Sequence, residues 1–295
     1  MQQGKISVGV CAYNEEKNIG SLLKNLLTQQ DLPLNSEIIV VCSGCTDSTP
    51  EIVQALRSWD NSVKLITENE RRGKARALNY IFERASASEV LILTNADAFP
   101  ESGSLMKLVK ALEKANLGAV TGRPIPLSKS GKLSNRIVRL IWDLHHKVSV
   151  CESVKMSGEL CALRPSYVKE IPTNLATDEP YIEMLIRRQG YKIAYDPEAI
   201  VYIKGPESIR EIIKHRRRIW TGHLQIKQTQ DFVVSTSDFR KILSTLIKSF
   251  KLNLGELPVL AVFIALDLYS YLLARYDLSK SRIPFVWETL KSTKI

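Results

Sequence analysis

Residues 89–100 read EVLILTNADAFP, and the reading of this stretch decides the fold. Val90-Leu91-Ile92-Leu93 is a short apolar run that stops at a polar turn, Asn95-Ala96-Asp97, as a strand buried on both faces does. The same unit recurs upstream. Ile6–Val10 reads as a buried strand, and Lys17–Leu27 as a helix with Ile19, Leu22, Leu23, Leu26 and Leu27 on one face. Glu37–Val41 is a second strand, Thr49–Ser58 a helix, Val63–Ile66 a strand, Lys74–Ala85 a helix and Glu89–Leu93 a strand. Strands alternating with helices of this length imply right-handed crossovers and an α/β fold with a mostly parallel, Rossmann-like sheet flanked by helices. Ligands of such sheets bind beyond the carboxyl ends of the strands.

The polar turns after the strands are therefore the candidate site: CAYNEE at 11–16, CSGCTDST at 42–49, NERRGKARALN at 69–79 and TNADAFP at 94–100. Taken singly, each has an ordinary explanation. Asn14-Glu15-Glu16 suits a helix N-terminus, Asp47-Ser48-Thr49-Pro50 is a good helix start, and Arg71, Arg72, Lys74 and Arg76 fit a solvated basic face. Those explanations leave unexplained why such turns follow four successive strands.

Further along, GRPIPLSKSGK at 122–132 reads as loop, Leu133–Val150 as a helix carrying Trp142 and His145-His146, and Met156–Leu163 as a strand entered through Ser157-Gly158. Ala176-Thr177-Asp178-Glu179-Pro180 carries the cap and acidic first turn of a helix that Gly190 ends. Tyr191–Tyr195 and Ala199–Ile203 read as two short strands, and a basic helix with KHRRRIW at 214–220 follows Gly205-Pro206. The tail changes character. Phe239, Ile242, Leu243, Leu246, Ile247 and Phe250 make one helical stripe with Lys241, Lys248 and Lys251 opposite, a pattern suited to an anionic bilayer or to closing a core. Leu257–Ala274 carries a single charge, Asp267, which with the hydroxyls of Tyr269, Ser270 and Tyr271 favours an interfacial or protein-packed helix over a lipid-bathed span. These changes place a soft boundary near residue 235, dividing a catalytic-type domain at 1–235 from a C-terminal helical region at 236–295.

The chain has 295 residues, 44% of them hydrophobic, enough for a full-sized core. Its 41 Lys and Arg exceed 31 Asp and Glu, a net charge of +10 that favours an anionic partner. Nucleic acid is disfavoured, because the basic residues are not interleaved with aromatics in a recognised module. The five cysteines have no framework spacing and read as reduced thiols. With no apolar stretch of signal-peptide length at the start, a cytoplasmic protein is expected, peripheral on the inner membrane face.

With these residues assembled, the sequence resembles the family 2 glycosyltransferases of the GT-A fold, in particular the branch that includes cellulose and hyaluronan synthases. The resemblance spans about residues 5–225 and lies in ordered motifs. Val10 through Glu16 looks like the opening strand and nucleotide-binding turn, Gly73-Lys74 through Ala77-Leu78-Asn79 like the GK(x)xALN segment, and Asn95-Ala96-Asp97 falls on DxD. Asp178-Glu179 falls on the acidic base motif, and His215-Arg216-Arg217-Arg218-Ile219 on QxxRW.

The resemblance implies transfer of a sugar from a nucleoside-diphosphate sugar to a hydroxyl acceptor, lipid-linked or membrane-proximal, with inversion. It implies Mg²⁺ or Mn²⁺ held by Asp97, since such ions need only one or two carboxylates beside phosphate oxygens and water. An amide at Asn95 can still reach a ribose hydroxyl. Ala12, Tyr13, Asn14, Glu15, Ser43, Arg72, Lys74 and Asn79 are the further donor contacts. Arg216, Arg217 and Arg218 would hold the diphosphate and Trp220 a sugar. The general base is Glu179, eleven residues before Gly190, or its neighbour Asp178. Cys42-Ser43 stands where the family usually carries paired aspartates, which leaves uridine as the first expectation for the nucleotide and guanosine as the second. A nucleotide-sugar-binding protein without activity and a nucleotidyltransferase are the alternatives, the latter lacking its Gly-rich phosphate loop.

Overall fold

The computed structural model describes residues 4–29, 32–127, 131–151, 154–234, 256–288 and 291–293. Three β-α units and a fourth strand open it: β1 (Ile6–Ala12), α1 (Ile19–Leu27), β2 (Glu37–Ser43), α2 (Thr49–Trp59), β3 (Val63–Glu68), α3 (Lys74–Arg84) and β4 (Val90–Asn95). The remainder runs β5 (Ala98–Pro100), α4 (Ser104–Leu112), β6 (Leu117–Pro126), α5 (Leu133–Cys151), β7 (Leu160–Leu163), α6 (Glu179–Arg188), β8 (Lys192–Ile203), α7 (Ile209–Gln230) and α8 (Leu257–Ser279).

One eight-stranded sheet has the order β3-β2-β1-β4-β7-β6-β8-β5. The β3-β2-β1-β4 half is parallel throughout, as the alternating pattern requires. β7 enters antiparallel between β4 and β6, and β8 pairs parallel with β6. Both faces are covered. Val8, Val10, Ile38, Val40 and Ile92 pack toward α1 and α4, while Ile39, Val41, Leu91 and Leu93 pack toward α3 and α6. This is why β2, EIIVVCS, is buried at every position and shows no alternation. α3 buries Ala75, Ala77, Leu78, Ile81 and Phe82, spaced for one helical face. Leu78, Ile81 and Phe82 together contribute about 5–9 kcal/mol of transfer free energy at 1.5–3 kcal/mol each.

Three readings of the middle region are corrected. Residues 122–126, expected in a loop on their Gly and Pro content, complete β6, because β8 offers a partner from Arg123↔Ile200 to Pro126↔Ile203. The two strands expected at 191–203 are one strand that continues through a register shift between Tyr195 and Ile200. Residues 156–159 form no ladder. The backbone N–H of Met156 donates to Glu183 Oε2 at 3.0 Å, and that of Ser157 to Thr121 Oγ1 at 3.1 Å. Ala98–Pro100, read as part of a turn, is a short edge strand on β8. The Phe239–Phe250 stripe lies outside the described residues.

α8 packs on α5 and α7 through Val259, Leu260, Phe263 and Leu266. Its outward side leaves Ile264, Leu268, Leu272 and Tyr276 more than half exposed. It is long and apolar enough to cross a membrane by length and composition. Cys11, Cys42, Cys45 and Cys161 are free thiols.

Candidate active site

β1 starts the sheet, β2 and β3 are laid down on one side of it and β4 on the other, so the chain reverses direction of growth between β1 and β4. At such a switch point the loops beyond the strand ends diverge and leave a crevice. The ladder fixes which residues meet there: Cys11 lies opposite Asn95, and Ala12 opposite Cys42. A cleft of about 210 Å³ opens above them, lined by Ala12, Tyr13, Glu15, Ser43, Lys74, Asn95, Asp97 and Arg218 among others. Ser43 Oγ is buried there without a hydrogen-bond partner among the described residues, so it is available to a ligand. Tyr13 lies under the Arg71 guanidinium, 3.8 Å from its ring centre.

Gly73 has φ 93°, and a Cβ there would sit 2.8 Å from the Phe285 carbonyl oxygen. Glycine lets the chain turn sharply into α3 and starts the helix with Lys74 aimed into the cleft. The Lys74 ammonium lies 3.2 Å from Asp178 Oδ2 and 3.4 Å from Glu179 Oε1. Burial opposes its charge, but the two carboxylates outweigh burial and push its pKa up. Within the acidic pair the environments diverge. Burial, together with the neighbouring Glu179 charge, raises Asp178 to about 6. Burial works the same way on Glu179, but Lys74 and, further off, Lys155 and Arg218 override it and hold its pKa low. Glu179 also has the approach to solvent: its side chain is 19% exposed, against 4% for Asp178. It packs so closely over Gly158 that a Cβ there would fall 2.0 Å from Glu179 Oε1.

Among the described residues no three His, Cys, Asp or Glu side chains form a self-sufficient metal site. Asp97 on the cleft wall is a donor set for an ion that brings most of its ligands with it, as Mg²⁺ and Mn²⁺ do when phosphate oxygens and water fill the shell.

The family model for glycosyl transferase family 2 matches residues 7–163, more than half of the chain. The chain belongs to glycosyl transferase family 2. It is 28% identical over 225 residues to the poly-beta-1,6-N-acetyl-D-glucosamine synthase of Staphylococcus aureus, a match covering 72% of this chain and 53% of that protein. The chain thus spans about half the length of the curated relatives it matches. Among solved structures it is similar to a mannosyltransferase of Pyrobaculum calidifontis in complex with GDP-Man and Mn²⁺. That likeness has TM-score 0.65 and 25% identity, and covers 96% of this chain and 82% of the other. It shares its fold with the glucosyl-3-phosphoglycerate synthase of Mycobacterium tuberculosis, at TM-score 0.52 and 20% identity over 74% of this chain and 78% of that one. These are GT-A proteins, and the sheet with its flanking helices is the GT-A arrangement.

Not every family-motif residue enters the cleft of this family 2 member. Asn14, at φ 51° in the left-handed region Asn tolerates, cross-links two turns: its Nδ2 donates to Thr46 Oγ1 at 3.0 Å, and Thr46 N–H donates to its Oδ1 at 2.8 Å. Asn79 likewise clamps the backbone of Ile171 from both sides, at 2.8 and 2.9 Å. Arg72 is exposed and pairs with Glu70. Arg217 forms an ion pair with Asp277 of α8. Arg216 Nε and Trp220 Nε1 both donate to Asp267 of α8, at 2.6 and 3.0 Å. Successive helical residues are about 100° apart, so three consecutive arginines cannot face one cleft, and Arg218 is the one that does. The single charge within the apolar run 257–274 is thereby explained: Asp267 is a helix-packing contact.

Two cleft residues escaped the sequence reading. Glu159, in the turn before β7, accepts from Asn95 Nδ2 at 2.8 Å, and burial raises its pKa against the pull of Asn95 and Lys74. A carboxylate wedged between Gly158 and the buried run LCAL was the available signal. Trp287 comes from beyond α8; its Nε1 donates to the Ala176 carbonyl at 2.9 Å, and its ring lies 3.6 Å from the Arg218 guanidinium. Nothing local in the sequence marks it.

Proposed function

We propose that the chain is an inverting, metal-dependent hexosyltransferase that takes its sugar from a nucleoside-diphosphate sugar and delivers it to a hydroxyl acceptor, lipid-linked or membrane-proximal, at the cytoplasmic membrane face. The observation that carries this reading is one cleft with Asp97, Lys74 and Arg218 on its walls and the Glu179 carboxylate facing the space beside it. Family membership and the GDP-Man and Mn²⁺ bound by the Pyrobaculum neighbour support it.

Ser43 Oγ offers a hydrogen bond to the nucleobase, and the ring of Tyr13 borders the same end of the cleft. Asn95 turns its amide N–H to Glu159 and keeps its carbonyl oxygen for a ribose hydroxyl. Arg218 and Lys74 carry positive charge to the diphosphate as it leaves. Asp97 would hold Mg²⁺ or Mn²⁺, which neutralises the same diphosphate when bound. Glu179 accepts the proton of the acceptor hydroxyl while that oxygen attacks the anomeric carbon from the face opposite the diphosphate. The carbon–oxygen bond to the diphosphate breaks, and the configuration inverts.

Thermal-shift titration with UDP, GDP and their sugars, with and without Mn²⁺, tests the reading, because a ligand of the native state raises its stability. Stabilisation by UDP or GDP that Mn²⁺ enhances is the expected result; no response to any of them removes the donor assignment.

The acidic pair also sets a pH dependence. Asp178 and Glu179 share Lys74 and titrate together, so the first proton taken up on acidification enters near pH 6. Below that point the pair loses charge and its grip on Lys74, and kcat/KM falls; above it the pair is ionised and the rate is flat. Asp178→Asn removes the like charge and moves this limb to lower pH, which a rate profile between about pH 5 and 8 reads directly.

The exposed side of α8 supports the membrane location. Replacing Ile264, Leu268 and Leu272 together with Asn leaves the α5–α7 contacts intact and is expected to abolish co-flotation with anionic vesicles. Undiminished flotation would move the membrane contact elsewhere or remove it.

A further inference from the structure

We propose that a second cavity, on the side of Glu179 away from the nucleotide, is the acceptor subsite, and that it selects an acceptor carrying a phosphate group near its reacting hydroxyl, recognised by Lys155. This rests on Glu179 being the base of the proposed transfer. The cavity, about 130 Å³, adjoins the donor cleft along Lys74, Asn95, Glu159 and Arg218, and Glu179 lines it. A group bound here is therefore in reach of the carboxylate that must take its proton.

Lys155 and Arg216 line this cavity but not the donor cleft. Lys155 makes no ion pair among the described residues, whereas the nearby carboxylates are already engaged. Glu183 holds Arg187 at 2.9 Å and the Met156 N–H at 3.0 Å, Glu159 holds Asn95, and Glu179 faces Lys74. Burial, and then Arg216, push the Lys155 pKa down, while Glu179 and Glu183 oppose them. Arg216 is already paired with Asp267 of α8, so the charge left for an anion entering the cavity is the Lys155 ammonium, whose burial cost such an anion offsets. The remaining polar groups suit oxygen ligands as well. Burial drives His145 down to about 3 and His215 well below its ordinary value, so both are neutral imidazoles, and His145 Nδ1 has no hydrogen-bond partner among the described residues.

The apolar wall, Val138, Ile141 and Ile212, belongs to the cluster that α8 completes with Val259. The phosphate can thus arrive on a soluble hydroxy compound or on a lipid at the membrane surface, and the test separates the two.

The full-length chain, saturated with UDP or GDP and Mn²⁺ so that the donor cleft is filled, is titrated with glycerol 3-phosphate and with glycerol. In parallel it is tested for binding to phosphatidylcholine vesicles with and without lysophosphatidic acid, which carries a hydroxyl beside its phosphate. Binding of a phosphorylated probe and not of its uncharged counterpart is expected. It should weaken about tenfold or more in Lys155→Met and persist in Lys155→Arg, with nucleotide affinity unchanged in both variants as the control for folding. Response to lysophosphatidic acid vesicles alone assigns a lipid source, and response to glycerol 3-phosphate assigns a soluble one. Phosphate binding indifferent to Lys155, or none at all, overturns the proposal. Should neither nucleotide bind, the donor reading fails by itself, and the same Lys155 comparison on the nucleotide-free chain still decides the subsite.

Discussion

Glu179→Gln is expected to lower the rate of sugar transfer by about 10²–10⁴-fold, the contribution typical of a positioned general base, while nucleoside-diphosphate binding stays within experimental error of the parent. The amide keeps the size of the carboxylate and can still accept from Lys74, but it cannot take a proton from a hydroxyl. Glu179 is the stronger assignment of the two acids because its side chain faces the acceptor-side cavity and Lys74 keeps it ionised. Asp178 is nearly enclosed and the first of the pair to be protonated. Asp178→Asn therefore acts through Lys74 and Glu179, with a smaller loss and a displaced acid limb. Single-turnover transfer and donor titration on both variants separate the roles, and full transfer in both would eliminate the pair as base.

Asp97→Ala is expected to erase the increment that Mn²⁺ adds to nucleoside-diphosphate affinity. Loss of a residue that merely orients a metal ligand typically costs about 10–100-fold in metal affinity, and loss of a direct ligand costs no less. The effect is large here because the first position of the motif, Asn95, is an amide, and Glu159 is occupied by it. Binding without metal should change little, since Lys74, Arg218 and the nucleotide turns remain. Titrating UDP and GDP with and without Mn²⁺ against both proteins measures the difference, and an unchanged Mn²⁺ increment would take the metal from Asp97.

Much of the site was legible because its placement follows from chain connectivity. Buried strand runs alternating with helices pair into a parallel array through right-handed crossovers, and in the ladder that results Cys11 meets Asn95. Lys74, Asp97, Ser43 and Glu179 all stand at strand or helix ends, where the backbone direction aims them at the crevice. Residues in mid-helix were harder. Arg216, Arg217 and Trp220 share a motif with Arg218, yet α8 takes them through Asp267 and Asp277. Asn79 satisfies the Ile171 backbone, a demand made by a segment 92 residues away.

The sequence by itself determined the α/β alternation, the parallel half of the sheet and the ring of turns above it, because these depend on local periodicity and on the handedness of short crossovers. Only the tertiary structure decided which carboxylate of the 178–179 pair faces a cavity, that Glu159 and Trp287 complete the cleft, and that Lys155 lines the cavity beside Glu179 with no ion pair among the described residues. Those facts depend on burial and on contacts between distant segments. Burial is what sets a carboxylate near pH 6 and pushes a lysine pKa down.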